Sequence, residues 1–237
     1  MNKFFLKINP NKFIDCTNIK MVVFDMAGTT INEHGLVYKT LHSSMNQFGL
    51  TVRKQEIQKW HGINKYQVLD HFLLRENRDK KDTEKLQNEL YKLFENNLKK
   101  EYFESSTISL IDNKVPLLFK KLRQKDIKIA LNTGYSVDIQ IAIIDKLKID
   151  SYIDDFISSE EVKIGRPYPY MIHTLMERNN IKNSKEVIKF GDTQNDILEG
   201  LNANCYASVG VLSGADTKEK LQNADFIVNS VMDIKLY

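Results

Sequence analysis

A chain of 237 residues, 42% of them hydrophobic, is long enough to bury one sizeable core, or a core interrupted by a smaller inserted unit. Its net charge of +3 comes from lysines spread among nearly as many acids, which gives no basic face for nucleic acid. No apolar run reaches the ~20 residues that cross a bilayer, and Cys16 and Cys205 have neither disulfide-framework nor metal-ligand spacing.

At the start, Phe4, Phe5 and Leu6 give way to charge and Pro10, too short a stretch for a secretory signal, so a cytoplasmic, reducing setting is expected. Residues 1–18 read as an N-terminal extension that either adds an edge strand or frays. Met21, Val22, Val23 and Phe24 then form an apolar run that ends in Asp25 and continues in small and hydroxyl residues to Thr30. This predicts a strand buried on both faces, as in a parallel sheet, delivering Asp25 to the carboxyl edge where open α/β sheets bind ligands. A turn-capping aspartate is the plainer alternative.

From about Val37 to Phe103 the periodicity is helical. A helix over 38–48 closes at Gly49, and one over 65–74 puts Val68, Leu69, Phe72 and Leu73 on one face. Leu86, Leu90, Leu93, Phe94 and Leu98 recur at three- and four-residue steps. The mixed charges of 78–82 read as a solvated loop. An all-helical insert placed behind a catalytic strand is expected to be a cap, over 37–108, that excludes water and sets specificity.

After Val115 helix and strand alternate, as a parallel sheet requires. Helices are expected over 116–125, 137–147, 168–178 and 195–201, with strands over 127–131, 155–158, 187–190, 207–211 and 226–228. The fold expected is α/β, a Rossmann-like core over 19–36 and 109–237 with a parallel sheet, plus the inserted helical cap.

Polar groups mark the strand ends: Asp25, Thr133, the 163–166 loop, and Asp192 with Asp196. Carboxylates gathered at one edge repel and raise each other's pKa, a cost that a divalent cation removes. Asp25 and Asp192 are the expected magnesium ligands, with Asp196 binding directly or through another group. Alternatively, Asp192 and Asp196 merely complement a helix N-terminus.

Asp25-Met26-Ala27-Gly28-Thr29-Thr30 resembles the nucleophile motif of the haloacid dehalogenase superfamily, with the alanine of its phosphonoacetaldehyde hydrolase (phosphonatase) branch. Asn132-Thr133-Gly134-Tyr135 resembles the second motif, Gly165-Arg166-Pro167-Tyr168-Pro169 the third, and Gly191-Asp192-Thr193-Gln194-Asn195-Asp196 the metal-binding motif. The resemblance implies that Asp25 attacks phosphorus to give an aspartyl-phosphate. Thr133, backbone N–H groups near Met26 and Gly134, and the cation Arg166, favoured by its Gly-Arg-Pro setting over nearby Lys163, would offset the charge. Phosphomonoesterases of the superfamily carry an acid/base aspartate at the position of Ala27, which offers only its backbone carbonyl and its shape. The implied magnesium set is therefore Asp25, Ala27, Asp192 and Asp196. His61-Gly62-Ile63-Asn64-Lys65 resembles the phosphonatase cap loop, in which the lysine forms a Schiff base with the substrate aldehyde. The resemblance makes Lys65 catalytic and puts His61, Met26, Gly134 and Tyr135 beside the substrate.

The chain departs from that branch at three places. His61 replaces a methionine, Val68 replaces a histidine for which His71 is a substitute one turn on, and Leu36-Val37 stand where the family has a cysteine. Gly35-Leu36-Val37-Tyr38 and Val209-Gly210-Val211-Leu212-Ser213-Gly214 look closer to a phosphonatase-like subfamily. The implied activity is magnesium-dependent hydrolysis of the carbon–phosphorus bond of phosphonoacetaldehyde. A phosphatase for a small phosphomonoester and a non-catalytic phospho-binding module are the alternatives. The partner expected is a small phosphonate or phosphate, not nucleic acid or a membrane, in a monomer or a cap-mediated homodimer.

Overall fold

The computed structural model describes residues 5–9, 12–76, 82–104 and 108–236. Of the charged run at 78–82, only Asp82 falls within them. The chain starts with β1 (Phe5–Asn9) and β2 (Lys12–Asp15), which pair antiparallel with each other. β11 (Lys235–Leu236) returns to pair with β1, so the extension is neither an added edge of the main sheet nor frayed over these strands.

β3 (Met21–Asp25) is the strand predicted from the apolar run, and all five of its residues are buried. It lies inside a six-stranded parallel sheet of order β10-β9-β8-β3-β6-β7, formed with β6 (Lys128–Thr133), β7 (Asp155–Ser158), β8 (Val187–Gly191), β9 (Ala207–Val211) and β10 (Phe226–Val228). Strand periodicity of two sends alternate residues to opposite faces. Val22 and Phe24 pack in the core with α5 (Val115–Arg123) and α6 (Val137–Leu147). Met21 and Val23 pack in a second core with α7 (Tyr170–Arg178). The Phe24 ring centroid lies 5.1 Å from that of Phe190 and 5.2 Å from that of Phe119, locking β3 to β8 and α5.

The chain runs outward from β3 to β6 and β7, then crosses back to β8 on the other flank of β3. The carboxyl end of β3 is therefore a topological switch point, where open α/β sheets present a crevice. α8 (Gln194–Asn202) follows β8, and a Thr193–Asp196 capping box starts it.

Between β4 (Ile31–Asn32) and β5 (Ser109–Leu110), which pair antiparallel, the regular structure is helical. It comprises α1 (Leu36–Gln47), the short α2 (Lys54–Ile57), α3 (Lys65–Glu76), α4 (Thr83–Lys99) and a π turn over Lys100–Glu104. The apolar stripes of α1, α3 and α4 meet and run on into the β3 face carrying Val22 and Phe24. Among the described residues no helix is long and apolar enough to cross a membrane. Cys16 and Cys205 are both buried, which fits packing roles.

Candidate active site

At the carboxyl end of β3 the backbone folds back tightly. The Met26 carbonyl accepts from the N–H groups of Thr29, Thr30 and Ile31, and the Thr30 hydroxyl donates to the Asp25 carbonyl. Gly28 permits this turn with φ 86°, and a Cβ there would stand 2.5 Å from Asp192 Oδ2. The loop thus presses against Asp192, which leaves β8 next door.

Asp25, Asp192 and Asp196 are buried, with one carboxylate oxygen from each lying within 4.8 Å of the others. Their charges are balanced unequally. Asp196 Oδ1 lies 2.9 Å from Lys189 Nζ and 3.1 Å from Arg166 Nη1. Although burial works to raise its pKa, these cations hold the Asp196 carboxyl below the usual carboxylate range. Asp25 Oδ1 pairs with Arg166 Nη1 at 2.8 Å, yet burial and then the charge of Asp196 push the Asp25 pKa up to about 6. Asp192 meets no lysine or arginine among the described residues; it accepts from the Thr29 hydroxyl at 3.2 Å and the Ala215 N–H at 2.7 Å. Burial and then Asp25 push its pKa well above the carboxylate range.

A divalent cation fits this arrangement. Every donor is oxygen, Asp192 has no cationic side chain beside it among the described residues, and Asp196 Oδ1 is buried without a well-angled hydrogen bond. Ala27 lines the same cavity, where its backbone carbonyl is the acceptor it owns.

Arg166 is 3% exposed and its guanidinium is fully committed. Besides Asp25 and Asp196, Nε donates to Glu199 Oε2 at 3.1 Å, and Nη2 donates to the Asn132 carbonyl at 3.1 Å and to Asn132 Oδ1 at 2.6 Å. Lys163, its competitor in the sequence, is exposed. Lys189 Nζ also donates to Asn132 Oδ1, and Asn132 Nδ2 to Glu199 Oε2, so buried Asn132, Lys189 and Glu199 hold the arginine from behind.

Lys65 opens α3, arrives from the helical segment, and is only 6% exposed. Its Nζ donates to the Ile63 carbonyl at 2.8 Å and stands 4.9 Å over the Tyr38 ring. Burial, then the nearby Arg166, bring its pKa down from the ordinary 10.5 to about 8. One cavity of about 280 Å³ is lined by Asp25, Ala27, Lys65, Thr133, Gly134, Tyr135, Arg166, Asp192 and Asp196 together.

Met26 and His61, both expected beside the substrate, are not among the residues that line this cavity. The Met26 side chain is wholly buried in the core against Gln140, which leaves its backbone N–H as the group it offers at the end of β3. His61 turns its ring to Asp216, with Nδ1 2.9 Å from Asp216 Oδ1 and the ring tilted against that of Tyr38. The substitute His71 packs against Trp60 instead and lines a separate groove. Tyr38 lines the cavity without having been expected there; the Gly62 N–H donates to its hydroxyl. Its place after Leu36-Val37, one helical turn into α1, is the signal that was available in the sequence.

Residues 22–209 match the family model for haloacid dehalogenase-like hydrolases. The chain is 32% identical over 229 residues to the bifunctional phosphonoacetaldehyde hydrolase/aminoethylphosphonate transaminase of Clostridioides difficile, covering 87% of this chain but only 34% of that protein. It is 28% identical to the phosphonoacetaldehyde hydrolase of Bacillus cereus over 88% of this chain and 83% of the relative. Among solved structures, β-phosphoglucomutase from Clostridium difficile superposes with a TM-score of 0.78 at 21% identity, covering 92% of this chain and 93% of that one. A phosphonoacetaldehyde hydrolase-like protein from Oleispira antarctica gives 0.73 at 22% identity, over 91% and 90%. These two likenesses speak for the fold; the family follows from the match that runs from the nucleophile strand through β9. The chain belongs to the haloacid dehalogenase-like hydrolases, in their phosphonatase-like branch.

Proposed function

We propose that the protein is a magnesium-dependent phosphonatase that hydrolyses phosphonoacetaldehyde, with Asp25 as nucleophile and Lys65 as the imine-forming amine. The observation that carries this reading is Lys65, a buried lysine with its pKa brought down to about 8, in the same cavity as Asp25. Ala27, with no acid to protonate an alkoxide leaving group, favours this chemistry over phosphate-ester hydrolysis.

The Lys65 amine adds to the aldehyde carbon, and the carbonyl oxygen leaves as water to give an iminium. An Asp25 oxygen then attacks phosphorus. The electron pair of the carbon–phosphorus bond flows into the iminium, leaving an enamine on Lys65 and a phosphoryl group on Asp25. Water hydrolyses the aspartyl-phosphate; protonation of the enamine carbon and hydrolysis of the resulting iminium release acetaldehyde and restore both residues. Thr133 holds a phosphoryl oxygen, and Arg166, fixed beside Asp25 by Asn132 and Glu199, offsets the charge that gathers there. Bound magnesium, held by Asp25, Asp192 and the Ala27 carbonyl, would offset the repulsion between carboxylate and phosphonate. Asp196, already paired with Arg166 and Lys189, would support it from outside.

The segment 37–108 serves as the cap in this reading, on a core of 19–36 and 109–237. Contacts from its 61–65 loop to the core support that role: Asn64 Nδ2 donates to Ser159 Oγ, Asn195 Nδ2 to the His61 carbonyl, and the Lys65 N–H to the Gly134 carbonyl. Borohydride added during turnover of phosphonoacetaldehyde should inactivate the enzyme and leave a reduced adduct on Lys65, located by peptide mass. Turnover of phosphate esters with no adduct overturns the reading in favour of a phosphatase. No phosphate release from any phospho-substrate, with Asp25→Asn indistinguishable from the parent, favours a non-catalytic module.

A further inference from the structure

The cavity poses a proton problem. Its described carboxylates are the clustered Asp25, Asp192 and Asp196, it has no histidine, and Ala27 stands where an acid would serve. Imine formation nevertheless requires Lys65 to lose a proton before attack and the carbinolamine oxygen to gain one before it leaves as water.

A buried chain of hydroxyls leads away from the cavity wall. Tyr135 lines the cavity, and its hydroxyl is 2.8 Å from that of Tyr102. Tyr102, wholly buried on the returning π turn, reaches Glu33 Oε2 at 3.0 Å. Glu33 follows β4, and the same Oε2 also accepts from the Val37 N–H at 2.7 Å. Tyr102 gives its one hydroxyl proton to Glu33 Oε2, so within the tyrosine pair Tyr135 is the donor and its oxygen keeps lone pairs free to accept. Burial pushes both phenols well above their ordinary pKa, so protons pass through them without either tyrosine ionising. Glu33 also lines an adjoining cavity of about 600 Å³, whose wall includes exposed His34 and Gly35. The hydroxyl chain therefore runs from a residue that lines the Lys65 cavity to one that lines the adjoining cavity.

We propose that Glu33, acting through Tyr102 and Tyr135, is the proton store for imine chemistry at Lys65, in place of the acid/base group missing at Ala27. The inference rests on the phosphonatase reading. One proton leaves the Lys65 ammonium for the Tyr135 oxygen, the Tyr135 proton moves to Tyr102, and the Tyr102 proton moves to the Glu33 carboxylate. After the amine has added to the aldehyde, the attacking nitrogen passes one of its own protons to the oxygen, and the same shift in reverse delivers the stored proton there as well, so that the oxygen departs as water. The relay lends and recovers one proton, and the net reaction is ammonium plus aldehyde giving iminium plus water. Glu33 and Tyr102 are positioning residues that act through Tyr135.

The test is rapid-quench borohydride trapping with phosphonoacetaldehyde on the full chain carrying Glu33→Gln, Tyr102→Phe or both. Each single substitution should slow formation of the Lys65 adduct by about 10- to 100-fold, with the final extent of trapping and KM unchanged. The double variant should be no slower than the singles, because the groups act in series. Adduct formation at the parent rate in either single variant overturns the relay while leaving the phosphonatase reading intact, and so does a double variant whose loss is the product of the singles. If Glu33→Gln fails to fold, Tyr102→Phe, which keeps the ring, decides alone. Absence of any adduct in the parent enzyme overturns the phosphonatase reading and the relay with it.

Discussion

Lys65 ties burial to reactivity. Because the free amine is the nucleophile, the rate of imine formation should rise with pH and level off above about 8, a limb that stopped-flow trapping between pH 6 and 10 would trace. The same burial costs stability. With the folded pKa at about 8 against an ordinary 10.5, the penalty on the charged form is fully present below pH 8 and is relieved as pH rises toward 10.5. Lys65→Met should therefore abolish phosphonatase activity yet be more stable than the parent at pH 7, by about 1–3 kcal/mol. That advantage should shrink between pH 8 and 10.5, as read by urea midpoints at each pH. Asp25, Thr133, Asp192 and Lys65, which line one cavity, were legible as a group because each stands in a short motif whose spacing survives folding. The His61 ring turns elsewhere for a physical reason: it finds Asp216, 155 residues away, and that partner is invisible to local pattern.

At the scale of elements, the 61–65 loop decides how closely the helical segment meets the sheet edge. Gly62 has φ 77°, and a Cβ there would collide with Thr193 Oγ1, the hydroxyl that caps α8. Gly62→Ala must lift the loop or twist it. Since a misplacement of about 1 Å is worth about 100-fold, kcat/KM should fall by about 10- to 100-fold. The melting temperature should drop only slightly, because the α1, α3 and α4 core is untouched. Steady-state kinetics beside a thermal melt separate the two effects. The long helices were readable from periodicity, and so was the main sheet. β4, β5 and β11 were not, since two residues are too few to show a period.

For the whole molecule, the clustered carboxylates make metal and stability one question. Asp192 carries a raised pKa and no cationic partner among the described residues, so ionising it in the metal-free protein costs stability that a bound cation would return. Adding magnesium should raise the melting temperature, with about 2.7 kcal/mol of stabilisation at a hundred times the dissociation constant, and chelation should abolish turnover reversibly. Asp192→Asn should melt no lower than the parent in chelator and should lose the magnesium-dependent shift. A parent protein whose melting temperature ignores magnesium would contradict the proposed ligand set.

Sequence by itself determined the alternation of elements, the buried β3 strand and the chemistry-bearing motifs, because apolar period and residue type are local properties. It also carried the family, since four motifs occur in order along the chain. Only the tertiary structure decided how Arg166, named from the sequence, is clamped beside Asp25, that the His61 ring turns to Asp216, and that Glu33, Tyr102 and Tyr135 meet. Those outcomes depend on how distant segments pack: Glu33 and Tyr102 lie 69 residues apart and touch only because the outgoing and returning ends of the helical segment fold beside β6.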